Sequence, residues 1–204
     1  MKLLVLASAA ALAACGKSSP SASAAGSGSS SAASGTAAPA DPAADYVHIL
    51  GHHNPGKTTD PVVIDIPKFE IVKASFDPKK LDGGTAELTL DLSSLRSSSA
   101  KRDKHLSSPD YLDVGKFATA TIDVDNVKAT GDKTYSADAT ISIHGVQKKL
   151  PVTFDVIATT ADGVRIHAVQ AWHRSDFQIG APEGPDESTA DGQQIELQLT
   201  LHKI

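Results

Sequence analysis

Alternation governs what this chain can become. Beyond Pro61, apolar and polar residues take turns with a period of two in runs at 62–66, 68–76, 85–92, 119–127, 134–143, 149–160, 163–173 and 193–203. In the third run Ala86, Leu88, Leu90 and Leu92 share one face. In the last, Ile195, Leu197, Leu199 and Leu201 stand opposite Glu196, Gln198, Thr200 and His202. A strand turns successive side chains to opposite sides, so this pattern predicts an antiparallel sheet with one buried face. No segment carries a helical stripe of useful length. Turn chemistry agrees: Asp82-Gly83-Gly84, Thr130-Gly131-Asp132 and Asp162-Gly163 fall between runs, where positive φ is wanted. Pro67 lies at a break and Pro151 near the start of its run, where a missing N–H is tolerable. Eight meandering strands close most economically into a barrel, which also removes exposed edges. The expected fold is an all-β, eight-stranded antiparallel barrel.

In a meander, alternate connections lie at the same end. The charged, proline-containing stretch 102–114, the turn 144–148 and the long connection 174–192 should therefore gather at one end, leaving only short turns at the other. A loop as long as the first is usually functional or disordered, and its Leu106, Tyr111, Leu112 and Val114 are too apolar for disorder. At this elaborate end Arg102 or Arg174 is expected to pair with Asp103, Asp110 or Asp176. Trp172, just before Arg174, suits a wet–dry boundary at the mouth or packing under the loop.

The first residues read differently. Lys2, an apolar run from Leu3 and an alanine-rich stretch have the build of a secretory signal. It closes on Leu12-Ala13-Ala14-Cys15-Gly16, which resembles the bacterial lipobox, and Cys15 is the one cysteine in the chain. The expectation is a signal over 1–14, lipidation of Cys15, a disordered Ser/Ala/Gly/Pro tether over 15–45 and the barrel over 46–204. Such a tether would hold the domain on the order of 30 Å from its anchor. Gly16 after the cysteine implies sorting to the outer membrane, so the expected place is the bacterial cell envelope, facing the periplasm. The anchor, the absent aromatic girdles and the charged outer strand faces oppose a membrane-spanning barrel. A formal net charge of −5 and the lack of a basic block argue against a nucleic-acid partner.

Three separated motifs then carry a family resemblance. Arg102-Asp103-Lys104-His105-Leu106 with Tyr111-Leu112-Asp113-Val114 and Phe117 comes first. His144-Gly145-Val146-Gln147-Lys148 and Arg174-Ser175-Asp176-Phe177-Gln178-Ile179-Gly180 follow in order. Together they resemble the signature of the YceI-like family over about 60–204, with Gln147 where threonine is usual and Gln178 where glycine is usual. The resemblance implies a lipocalin-like barrel in the periplasm that binds a polyisoprenoid or isoprenoid-quinone type of molecule. It implies no catalytic residues.

Candidate lining residues for such a ligand are Leu88, Leu90, Ile122, Ile141, Phe154, Val156, Leu197 and Leu199, some of which could simply fill the core. The loop residues Arg102, Asp103, His105, Gly145, Arg174, Asp176 and Phe177 are expected at the barrel end. His48, His52 and His53 are the best case for a metal site, weakened by the lack of a cysteine partner and of close carboxylates. His105 and His144 are expected to hydrogen-bond a carboxylate or backbone, and His167, His173 and His202 to face solvent from strands. No nucleophile elbow, phosphate loop or zincin motif occurs, so the chain is read as a non-enzyme without cofactor. The competing reading is an envelope interaction module whose barrel is packed solid and whose loops bind a partner protein.

Overall fold

The computed structural model describes residues 44–54, 61–181 and 188–203. Cys15, the expected signal and almost all of the expected tether lie outside the described residues, as does the acidic piece Pro185-Asp186-Glu187. The strands are β1 (Tyr46–Gly51), β2 (Val62–Asp65), β3 (Phe69–Asp77), β4 (Lys80–Asp91), β5 (Thr119–Ala129), β6 (Thr134–Ile143), β7 (Val146–Thr159), β8 (Gly163–His173) and β9 (Gly192–His202). A short helix, α1 (Ala100–Leu106), sits in the connection between β4 and β5, and 3-10 turns lie at Leu92–Ser94 and Ser175–Phe177.

All neighbours are antiparallel, in the order β2-β1-β9-β8-β7-β6-β5-β4-β3. The two end strands of that order are consecutive in the chain. Ile66 N donates to Val47 O at 3.0 Å, on the β1 side, whereas Asp91 N donates to Lys68 O at 2.9 Å, on the β4 side. Pairing therefore passes from one end of the sheet to the other across Pro67, whose ring nitrogen has no proton to give. One bent strand thus joins the two ends of the curled sheet. Counted once, it gives eight staves, where the ladder has nine strands.

Two elements were not anticipated. β1 carries Tyr46-Val47-His48-Ile49-Leu50, in which Leu50 breaks the alternation; Val47 is nonetheless fully buried, and the strand pairs with both β2 and β9. Helix α1 is only 7 residues long, too short to show a stripe, and it is held by its cap: Ser99 accepts from the backbone N–H of Arg102. Its Leu106 points back into the barrel with 8 % of its surface exposed.

The inner face follows the alternation. Leu88 and Leu90 lie beside Ile122 and Ala120, and Ile122 beside Ile141. Burying each large aliphatic side chain contributes about 1.5–3 kcal/mol. Register shifts in β3, at Asp125/Lys128 and at Val156/Ala158 mark where the sheet bends to close.

The expected clustering of loops is found. His144 Nδ1 lies 3.3 Å from Phe177 O, its ring meets Phe117 edge-on at 4.8 Å, and Arg174 lies 5.6 Å from the Tyr111 ring. The connection after β1 joins them: Ala190 N donates to His52 O at 3.0 Å. Among the described residues, the opposite end carries the short turns after β3, β5 and β7 and the stretch that leads into β1, where Thr200 Oγ1 donates to Asp45 Oδ1 at 2.9 Å.

Candidate functional site

Three cavities follow one another inside the barrel. The mouth cavity, under the loops, holds about 250 Å³; a middle one holds about 40 Å³; a lower one, toward the short turns, about 110 Å³. Neighbours share walls. Ile49, Ile66, Leu92 and Trp172 border both mouth and middle cavities, while Ile122, Ile141 and Ile195 border both middle and lower ones. The interior is therefore not solid, and its voids are strung along the staves, separated only by side chains.

Of the residues expected to line a ligand, Ile122 and Ile141 border two cavities, Leu90 the middle one, and Phe154 and Leu197 the lower one. Leu88, Val156 and Leu199 are buried at 6 %, 9 % and 3 % exposure and border none of these cavities; they pack the wall. Ile49, Ile66, Val152, Ala168 and Gln170 line cavities without having been singled out. Val152 had the signal, being in phase with Phe154; Ile49 had none, because its strand was not recognised.

The mouth is held by Arg174, which is 2 % exposed. Its guanidinium donates to four carbonyls: from Nε to Ala190 at 2.9 Å, from Nη1 to Ile179 at 2.9 Å and Ala181 at 3.2 Å, and from Nη2 to Thr189 at 3.0 Å. The expected pairing of Arg102 or Arg174 with Asp103, Asp110 or Asp176 is not what forms. Arg174 meets backbone carbonyls of the irregular loop, and its rigid fork suits several at once. Asp103 instead accepts from Ser97 N at 2.8 Å and Ser97 Oγ at 2.6 Å, Arg102 Nη1 donates to the same hydroxyl at 3.3 Å, and Asp176 lies 3.6 Å from Lys148 Nζ.

The glycines of the motifs are sterically explained. A Cβ on Gly180, at φ +70°, would fall 2.7 Å from Arg174 Nη1 and 2.8 Å from the Tyr111 ring. On Gly145, at φ +75°, it would fall 2.8 Å from the Phe117 ring. Gln178 is itself left-handed, at φ 56°, the conformation that suits the family's usual glycine. Phe177, 1 % exposed, meets Trp172 edge-on at 5.8 Å and 72°; both rings border the middle cavity, and Trp172 borders the mouth cavity as well.

The histidines divide by place. His52, His53 and the exposed His105 border the mouth cavity, whereas His48 faces Asp65 on the outside at 3.8 Å. The three clustered in sequence thus do not converge, and among the described residues no group of three or more His, Cys, Asp or Glu is placed to hold a metal. His167, His173 and His202 lie on strands against Glu196, Asp191 and Asp162, at 3.0, 3.1 and 3.5 Å. Burial pulls the Asp191 carboxyl up, but Ser175, which donates from both N and Oγ at 2.8 Å, and His173 outweigh it and hold it below the usual range. For Glu196 burial is likewise outweighed by His167 and by Tyr46 Oη, which donates at 3.1 Å.

Comparison with known proteins adds the following. The model of the family described as "YceI-like domain" matches residues 40–201. A "UPF0312 protein" of Pseudomonas fluorescens (strain SBW25) is 35% identical over 124 residues, 57% of this chain and 63% of that protein, so the match spans less than two thirds of the relative. Among solved structures, Burkholderia cenocepacia BcnA superposes with a TM-score of 0.68 at 23% identity, over 77% of this chain and 96% of that one. A domain from Saccharophagus degradans, described as a polyisoprenoid binding domain implicated in plant cell wall breakdown, superposes with a TM-score of 0.60 at 12% identity, covering 78% and 94%. Both structural likenesses concern the fold.

Proposed function

The chain belongs to the YceI-like family, and on that premise we propose that its barrel holds a lipophilic molecule of the polyisoprenoid class. The observation that carries this reading is the row of cavities with shared apolar walls. The lower and middle ones have no charged residue among their lining, so the ligand is retained by burial alone. Each methylene taken from water contributes about 0.8 kcal/mol. The narrow middle cavity favours a linear chain over a fused-ring system. The polyisoprenoid-binding description of the Saccharophagus degradans domain supports the same class. The role is binding and carriage, with no catalytic step assigned.

The proposed setting is the cell envelope, with the domain tethered through lipidated Cys15 and facing the periplasm of the outer membrane. Native mass spectrometry of protein extracted from membranes tests ligand and anchor together. A co-purified apolar molecule is expected in the wild type, and it should be lost in Leu90→Asp and Phe154→Asp variants that retain their circular dichroism. Cys15→Ser should move the protein from the membrane to the soluble fraction. Folded wild-type protein with no extractable lipid would favour the interaction-module reading instead.

A further inference from the structure

The wall of the barrel is incompletely paired beside the lower cavity. β7 and β8 pair only at Asp155↔His167, Val156↔Ile166, Ala158↔Arg165 and Thr159↔Val164. Past Asp155 and His167 they part: residues 146–154 keep partners on β6 and 168–173 on β9, with no ladder between the two stretches. The gap is bridged again near the mouth, where Lys148 approaches Asp176. Between these limits the edge of β7 is open over residues 149–154, about 20 Å of strand. Pro151 lies in this edge, a position where the missing N–H takes nothing from a ladder.

Two observations connect the gap to the lumen. Val152, Thr153 and Phe154 all border the lower cavity, as do Ala168 and Gln170 across the gap. Both margins of the gap are therefore wall of the same void. Burial changes along the strands themselves: Val156 and Ile166, where β7 and β8 still pair, are each 9 % exposed, whereas Leu150, Val152 and Phe154 along the gap are only half-buried. The amide of Gln170 does not plug the opening; its Nε2 donates to the Ala171 carbonyl at 2.9 Å, on its own strand.

We propose that the gap between β7 and β8 is a lateral portal, through which the tail of a single-chain amphiphile enters the lumen while its polar head stays outside. This rests on the binding reading above. Among the described residues, buried side chains stand at both ends of the barrel: Leu106, Leu112 and Phe177 at the mouth, Leu81, Val127 and Leu201 at the other end. A charged head would lose its water without compensation in the lower cavity, whose polar side chains are Thr85, Thr153 and Gln170. An apolar tail meets no such barrier.

Leu150 is the residue to alter, because it lies on the gap yet borders none of the cavities. The full-length protein is mixed with vesicles carrying pyrene-tagged farnesol, and loading and release are followed by stopped flow. A rim residue that gates passage changes both rates by one factor and leaves the equilibrium where it was. Leu150→Trp is expected to slow loading and release by about tenfold each, and Leu150→Ala to speed both, with the dissociation constant held within about twofold. The smaller variant guards against misfolding of the larger. Wild-type rates in both variants would overturn the portal while leaving the carrier intact. A wild-type protein that never takes up the probe would overturn the binding reading itself, and the portal with it.

Discussion

At the scale of single residues, Arg174 shows how a motif can be legible while its role is not. The sequence marks the arginine and suggests a carboxylate partner, because side-chain charges are what a sequence displays. Its real partners are the carbonyls of Ile179, Ala181, Thr189 and Ala190, which no residue type announces. Gly180 then follows from Arg174, since the space a Cβ would need is taken by the guanidinium and Tyr111. Arg174→Met should take a donor from four inward carbonyls, of which Ala190 keeps Gln193 Nε2 at 2.6 Å, and the expected loss is about 3–5 kcal/mol, read from urea unfolding. Arg174→Lys should recover only part of it, because an ammonium cannot span the same fan of acceptors. Full recovery by lysine would mean that charge, not the shape of the fork, holds the loop.

At the scale of elements, alternation reveals β2 to β9 because each turns alternate side chains to the inner face. It fails for β1, which has solvent on one side, cavities on the other and Leu50 out of phase. That strand is tied in by polar contacts. Tyr46 Oη and His167 Nε2 both reach Glu196 Oε1, at 3.1 and 3.0 Å, linking β1 and β8 to β9. Burial raises the Tyr46 phenol and the Glu196 carboxylate raises it further, while Glu196 is itself held low by these partners despite burial. The depressed carboxylate contributes stability that is present above its ordinary value of 4.5 and lost as pH falls through the lower folded value. The raised phenol has the opposite sense: its contribution is present below 10.0 and lost as pH rises through the folded value. Glu196→Gln should therefore flatten the acid limb of stability against pH and move one tyrosinate absorbance transition downward. An unchanged acid limb would show that the Glu196 contacts do not differ in strength between its two protonation states.

At the scale of the whole molecule, closure and emptiness have to be considered together. The alternation dictates a sheet that curls, and Pro67 lets one strand serve both of its ends, so the barrel was legible. Its filling was not, because alternation gives the direction of a side chain and not the distance to the one opposite. Leu88 and Leu90 are two residues apart on one face, yet one packs the wall and the other borders a void. Voids inside a β-barrel forgo dispersion contacts that a solid core would make. A bound chain restores them and stabilises the folded state by mass action, about 2.7 kcal/mol at a free ligand concentration a hundredfold above Kd. On the proposed binding, delipidated protein should unfold at a lower temperature than protein as purified, and adding back the extracted lipid should restore the difference in proportion to the logarithm of its concentration. Leu90→Asp, which places a charge beside the middle cavity, should lower the starting stability and abolish that dependence. Leu199→Ala, in the packed wall, should lower the stability while the dependence on lipid persists. Scanning calorimetry of the three proteins with and without lipid separates a cavity that is occupied in use from one that is a packing defect, since only the first makes stability a function of the guest.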